Sequence, residues 1–349
     1  MDLGIFALLS QDGVTNGAIY ALLAMSLVLV FSVTRIIFLP QGEFIGYGAL
    51  TIAALQANQF PKLVWLLLGM GVLTFAVEAF SALRQRGAGT GPWPALVRSA
   101  LVWVVYPLAL LALVRSFSWG GAPMAVQILL ALAMTVPLGA MIYRVAFQPI
   151  AEAPVLVLLI VAVGVHFGLL GMGLFLFGPE GFVTRPFSEW SGSLGSMLIS
   201  GQSVAVLAVS AGLIGLLSVF FHRTLTGKAL RATAVNRRGA QLVGIATAQA
   251  GRLAIGLAAA LGTLAGALIA PLNAVAYDTG FVLALKGFVA AVVGGLASYP
   301  LAALGAVLVG LLESYSSFWA SAYKEVIVFT LIIPVLAWRS LTTTHGDEE

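Results

Sequence analysis

The sequence predicts an all-α fold, a polytopic bundle of about ten or eleven membrane-spanning helices, and three observations lead to it. Hydrophobic residues make up 60% of the 349 and charged residues only 9%, whereas a soluble domain carries about 25% charge. The apolar residues lie in continuous runs close to the roughly 20 residues that a helix needs to cross a bilayer. Basic residues gather at alternate ends of those runs, as the positive-inside rule asks of cytoplasmic loops. A transmembrane β-barrel would instead alternate apolar and polar residues over about ten positions.

The runs fall near 14–34, 39–57, 64–83, 97–117, 124–144, 154–177, 201–221, 252–272, 281–297 and 301–319, with an eleventh at 324–338. Two are weak. The run 39–57 is interrupted by Gln41, Glu43 and several glycines, and 281–297 contains Lys286. Both read as re-entrant or broken helices buried among their neighbours. With the N-terminus outside and one crossing per run, Arg35, Arg84, Arg86, Arg98, Arg144, Arg223, Lys228, Arg231, Arg237, Arg238, Arg252 and Arg339 face inside. Lys62, Arg115, Arg185, Lys286 and Lys324 fall outside, and the C-terminus lies inside. The first run has no basic leader and no A-x-A cleavage site, so it is read as a retained span rather than a signal peptide. Residues 1–340 then form a single transmembrane domain. Within it, 85–96 is a flexible inner connector and 178–200 an outer loop, and 341–349 is a disordered tail.

Composition also excludes chemistry. There is no cysteine, so disulfides, thiolate catalysis and cysteine-bound metal are ruled out. The three histidines, His166, His222 and His345, read as unrelated residues, and no metal-ligand cluster or catalytic carboxylate pair is visible. The net charge of +4 follows from topology and does not point to nucleic acid. No strand–loop–helix context surrounds the glycine runs near 89–93 and 171, and no Walker-type lysine motif occurs. If ATP powers the protein, another chain binds it.

The one large hydrophilic stretch is 222–251, HRTLTGKALRATAVNRRGAQLVGIATAQAG. It suits one or two short surface helices, with Thr226 as a helix start and Gly239 as a break. Ala229, Ala232, Ala240, Leu242 and Ile245 can make buried contacts with a motor subunit, while Arg231, Arg237 and Arg238 meet its acidic groups. The other reading is an ordinary charged inner loop. Among charges inside apolar runs, Glu43 either faces a cavity or sits at the inner headgroup level and caps the following helix. Lys286 and Glu313 either pair, or Lys286 snorkels to the outer surface. Glu78 reads as interfacial. Glycine pairs recur at Gly164/Gly168, Gly262/Gly266, Gly294/Gly295 and Gly305/Gly310, and Gly262–Gly266 is a G-x-x-x-G suited to close helix packing.

Three blocks together resemble the membrane permease subunits of branched-chain amino acid ABC transporters, the high-affinity import family. They are NGAIYALLAMSLVLVFSVTRIIFLPQGEFIGYGAL (16–50), GKALRATAVNRRGAQLVGI (227–245) and KGFVAAVVGGLASYPLAALGAVLVGLLES (286–314), and YKEVIVFTLIIPVLAWR (323–339) extends the third. The resemblance implies a coupling loop, 222–251, that seats in an ATPase subunit through Gly227, Ala229, Arg231, Ala232, Asn236, Ala240, Gly244 and Ile245. It places Gln41, Gly42 and Glu43 in the turn of the second helix. Lys286, Phe288, Gly294, Gly295 and Glu313 fall in the late helices beside the translocation pathway.

The implied assembly is a multi-pass complex of the bacterial plasma (inner) membrane, without catalysis or cofactor in this chain. It would comprise a second permease, two cytoplasmic ATPase subunits using ATP and Mg, and an extracytoplasmic binding protein. The chain departs from the family pattern at Gln41, where histidine is usual, and at Leu301, where glycine follows the proline. About two extra spans near 64–120 also set it apart, a number that preserves the orientation of everything downstream. Relatives of this kind handle branched-chain amino acids, other amino acids, urea or short amides. A secondary carrier driven by an ion gradient is the competing class, with Glu43, Lys286 or Glu313 as its coupling groups.

Overall fold

A computed structural model describes residues 3–84, 93–194, 197–296 and 298–342; Arg86, most of the connector 85–96 and tail residues 343–349 lie outside them. Every apolar run is helical: α1 (Leu3–Thr34), α2 (Gln41–Gln56), α3 (Leu63–Arg84), α4 (Trp93–Ala100) with α5 (Tyr106–Ser116), α6 (Met124–Ile142), α7 (Val155–Phe177), α8 (Gly201–Arg223), α11 (Thr247–Ile269), α12 (Thr279–Val293), α13 (Tyr299–Trp319), and α14 (Lys324–Thr330) with α15 (Ile332–Thr342). The hydrophilic stretch supplies the intervening α9 (Leu225–Val235) and α10 (Arg237–Leu242). Nine helical stretches among the described residues are long and apolar enough to cross a membrane. The two short exceptions are α2 and α12, the pair that the sequence marks as broken.

Local sequence sets the boundaries. Prolines stand at or just before the first turns of α2, α6, α7 and α13, where a missing N–H costs nothing. The Ser200 hydroxyl caps α8 by accepting from Ser203 N–H. A π-turn at Leu101–Val105 joins α4 to α5, and α6 runs on through a π-turn at Tyr143–Phe147. The loop 178–200 holds a small antiparallel hairpin, β1 (Ser191–Leu194) with β2 (Met197–Ser200).

The core forms where α1, α2, α11, α12 and α13 meet. Glycine makes this closeness feasible. A Cβ at Gly266 would strike the carbonyl of Ile45, and one at Gly262 would come within 3.0 Å of Phe44 Cβ, so the G-x-x-x-G face is the seat of α2 on α11. Gly13 and Gly17 of α1 likewise meet the backbone of α13 around Val307 and Leu311. Gly164 and Gly168, by contrast, have nothing within 4 Å and lie on an open face of α7. The spans α3 to α5 are held by Glu78. Its carboxylate accepts from Arg144 Nε at 3.0 Å, Ser99 Oγ at 2.6 Å and Trp103 Nε1 at 3.1 Å. Glu78 is therefore a tie between three helices as well as partly exposed.

The first helix begins about three turns earlier than the sequence predicts, because residues 3–13 continue to pack along α13. By connectivity, the starts of α1, α8, α12 and α14 and the ends of α11 and α13 share one end of the bundle. The α9–α10 segment is at the other end. Arg35, Arg84, Arg144 and Arg223 cluster there with it.

Candidate functional site

Helix α2 starts deep inside the protein. Gln41 Nε2 donates to the carbonyl of Leu23 at 3.1 Å, and Leu23 lies about three turns before the end of α1. Two residues on, Glu43 is 1% exposed. Its Oε1 shares a hydrogen bond of 2.7 Å with Nδ1 of His166, and His166 occupies the middle of α7. The imidazole stacks on Phe281 with centroids 4.3 Å apart. Glu43 is thus enclosed by protein, and α2 has no side-chain cap; its carboxyl group is instead hydrogen-bonded to an imidazole, as a polar group buried in an apolar bundle requires. Gly42 and Gly280 bring the backbones of α2 and α12 into direct contact. Gln41 Oε1 and Glu43 Oε2 are buried and have no hydrogen-bond partner among the described residues.

A second cluster lies on α1, α12 and α13. Lys286 Nζ donates to Glu313 Oε1 at 2.5 Å, and the Tyr20 hydroxyl donates to Glu313 Oε2 at 2.6 Å. Lys286 does not snorkel; it is 5% exposed and also lies over the Tyr20 ring, 5.8 Å from its centroid. This triad lines a cavity of about 910 Å³ that opens at the end of the bundle where α1 begins. Asp12, Asp278, Lys324 and Glu325 are also in its wall. Phe288 packs half-buried against the core. Gly294 and Gly295 form the turn between α12 and α13, where Gly295 has φ of +81° and Gly294 leaves no room for a Cβ beside Ala302.

The protruding segment is a helix–break–helix. The Thr224 hydroxyl accepts from Gly227 N–H at 2.9 Å and starts α9; the Asn236 side chain accepts from Gly239 N–H at 2.9 Å and starts α10. The helix therefore begins at Thr224, not Thr226, and the break falls at Asn236, not Gly239, because each capping oxygen supplies the acceptor that the first turn lacks. Gly227 is buried against the backbone of Phe220 and Phe221. Gly244 turns the chain with φ of +85°, and Ile245 after it is half-buried. Arg231, Ala232 and Asn236 line a groove of about 510 Å³ between the two helices, Ala229 is half-buried and Ala240 is 4% exposed. Leu225, Val235, Leu242 and Val243 stand 76–89% exposed. Arg237 turns inward, and its Nη1 donates to the carbonyl of Ala151 at 2.9 Å.

Of the sequence-derived residues, the structure joins Lys286 with Glu313 and gathers the loop residues on one protrusion. Gln41, Gly42 and Glu43 form a separate cluster. His166, Phe281 and Tyr20 were not singled out by the sequence. His166 carries a usable signal, an ionisable group in the middle of an apolar run; Tyr20 and Phe281 carry none. Among the described residues, no group of three acidic or histidine side chains is arranged to hold a metal ion.

Broken helices beside a charged cavity, in a bundle of apolar helices with one basic protrusion, define an integral membrane transport component. The chain belongs to the family described as "Branched-chain amino acid transport system / permease component", whose pattern it matches over residues 98–336. It is 26% identical over 333 residues to the high-affinity branched-chain amino acid transport system permease protein LivH of Escherichia coli K12, covering 93% of this chain and 91% of that protein. The corresponding permease protein BraD of Pseudomonas aeruginosa is 29% identical over 225 residues, 59% of this chain and 69% of that protein. No solved structure matches the chain. The family is a multi-pass transport permease of the bacterial inner membrane, not an enzyme.

Proposed function

We propose that this chain is one permease subunit of an ABC importer for branched-chain or related amino acids. It works beside a second, different permease, two cytoplasmic ATPase subunits that bind ATP and Mg, and an extracytoplasmic substrate-binding protein. The observation that carries this reading is the α9–α10 protrusion. Four large apolar side chains stand exposed along it, at the end of the bundle where basic residues gather. Apolar groups that project beyond a membrane domain call for a partner surface, and a permease without its own nucleotide site needs a motor. The names of the relatives support amino acids as cargo over urea or short amides.

In this reading the N-terminus and the 910 Å³ cavity face outside, and α9–α10 and the C-terminus face the cytoplasm. Substrate released by the binding protein enters the cavity. Closure of the ATPase pair moves α9–α10 as a rigid body, since Gly227 fixes it against α8 and Arg237 ties it to Ala151. That movement rocks the helices around Lys286, Glu313, Gln41, Gly42 and Glu43 and alternates access to the pathway. Phe288, Gly294 and Gly295 shape its late helices. The test is mild-detergent co-purification from native membranes with mass spectrometry. An ATPase that stays with the intact chain and is lost from Val235→Asp with Leu242→Asp supports the reading. A chain that purifies alone while catalysing gradient-driven uptake in liposomes overturns it.

A further inference from the structure

Resting on the amino-acid reading above, we propose that Lys286, Glu313 and Tyr20 form a zwitterion receptor in this permease, so that the membrane chain makes its own selection of cargo. An α-amino acid carries an ammonium and a carboxylate, and neither charge enters a membrane domain without a counter-charge. Lys286 and Glu313 are a matched cation and anion, both largely buried and both in the wall of the cavity. At about 910 Å³ that cavity is at the upper end of the roughly 300–1,000 Å³ usual for small-molecule sites. Asp12, Asp278 and Glu325 outnumber Lys324 in the rest of its wall, which draws the ammonium end inward first.

At the floor, the substrate carboxylate takes Lys286 and the ammonium takes Glu313. One internal pair is exchanged for two, and no net charge is left uncompensated. Tyr20 holds the second oxygen of Glu313 and so fixes the carboxylate while its lysine is lent out; it is a positioning residue. A neutral amide engages neither ion enough to separate them.

A structural ion pair and a receptor pair differ in one testable respect: an apolar pair of similar volume replaces the first without loss but abolishes the second. The complex purified with its partner chains is reconstituted in liposomes and supplied with radiolabelled leucine. Lys286→Met with Glu313→Leu should retain full assembly with the partner chains and lose leucine uptake by about 10- to 100-fold, the worth of charge-assisted hydrogen bonds. Assembled double-variant complexes that take up leucine within about threefold of the wild-type rate overturn the inference and leave the permease reading intact. Where the apolar pair fails to assemble, Lys286→Glu with Glu313→Lys decides. That exchange keeps both charges, and recovered uptake supports the receptor, whereas assembled but inactive complexes overturn it. A wild-type complex that moves no leucine refutes the amino-acid reading itself.

Discussion

Replacing His166 with leucine removes the only side-chain hydrogen-bond partner of Glu43 found among the described residues. Glu43 is 1% exposed and its other oxygen has no partner among the described residues, so no solvent shell takes over. Breaking a buried pair by deleting one member costs about 3–5 kcal/mol. The stacking of the ring on Phe281 adds about 0.5–1.5 kcal/mol, part of which leucine recovers by filling the same space. His166→Leu should therefore lower stability by about 3–5 kcal/mol. The double variant His166→Leu with Glu43→Leu removes the stranded carboxyl group as well, and should return to within about 1–2 kcal/mol of the parent. Reversible unfolding in mixed detergent micelles, followed by circular dichroism, measures both. A double variant as unstable as the single one would refute the argument, because the cost would then lie in packing and not in an unpaired buried carboxyl group. A single variant within about 0.5 kcal/mol of the parent would do so equally.

Three further outcomes are expected. Gly266→Val places atoms on the carbonyl of Ile45 and should cost about 1–3 kcal/mol through forced separation of α2 from α11, whereas Gly168→Ala, with open space around it, should leave unfolding unchanged; equal effects would dismiss the close-packing account. Gly244→Ala must hold φ near +85° at a cost of about 1–2 kcal/mol, and should reduce substrate-stimulated ATP hydrolysis by the purified complex while membrane insertion persists. Glu78→Leu takes the acceptor from Ser99, Trp103 and Arg144 together. Hydrogen exchange should then rise in α3 and α4 and stay constant in α11 and α13; a uniform rise would mean that the spans α3 to α5 are part of the central packing unit.

Much of the fold is legible in the sequence because a bilayer leaves few options. Each long apolar run must satisfy its own backbone and becomes a helix, and the polar interruptions at Gln41 and Glu43 and at Lys286 mark the two short helices. The extension of α1 is not legible, since Gln11 and Asp12 break the apolar run, and it takes the contacts with α13, Gly13 on Leu311, Ser10 with Tyr315 and Ser314 on the carbonyl of Leu9, to show why the helix continues. The π-turn before α5 is equally silent in the sequence; it accompanies the close approach of the Trp103 carbonyl to Gly71. At the sites, Lys286 and Glu313 can be paired by eye across 27 positions. Glu43 and His166 are separated by 123, and a lone histidine in an apolar helix gives no hint of which carboxylate it meets. The capping oxygens of Thr224 and Asn236 were present in the sequence, but neighbouring Thr226 and Gly239 offered equally good local signals.

Between Gly42 and Gly280 there is backbone on both sides and no side chain in the gap. Side chains are the compliant layer of a protein: they change rotamer and absorb small displacements before these reach a neighbouring helix. Here that cushion is missing, and the two helix starts bear on each other like gear teeth without play. A shift at the start of α2, which hangs from the short link after Arg35 at the basic end of the bundle, passes into α12 with little attenuation. Lys286 rides on α12 nearly two turns further on. The smallest residue in the alphabet, used twice, leaves two broken helices in direct backbone contact.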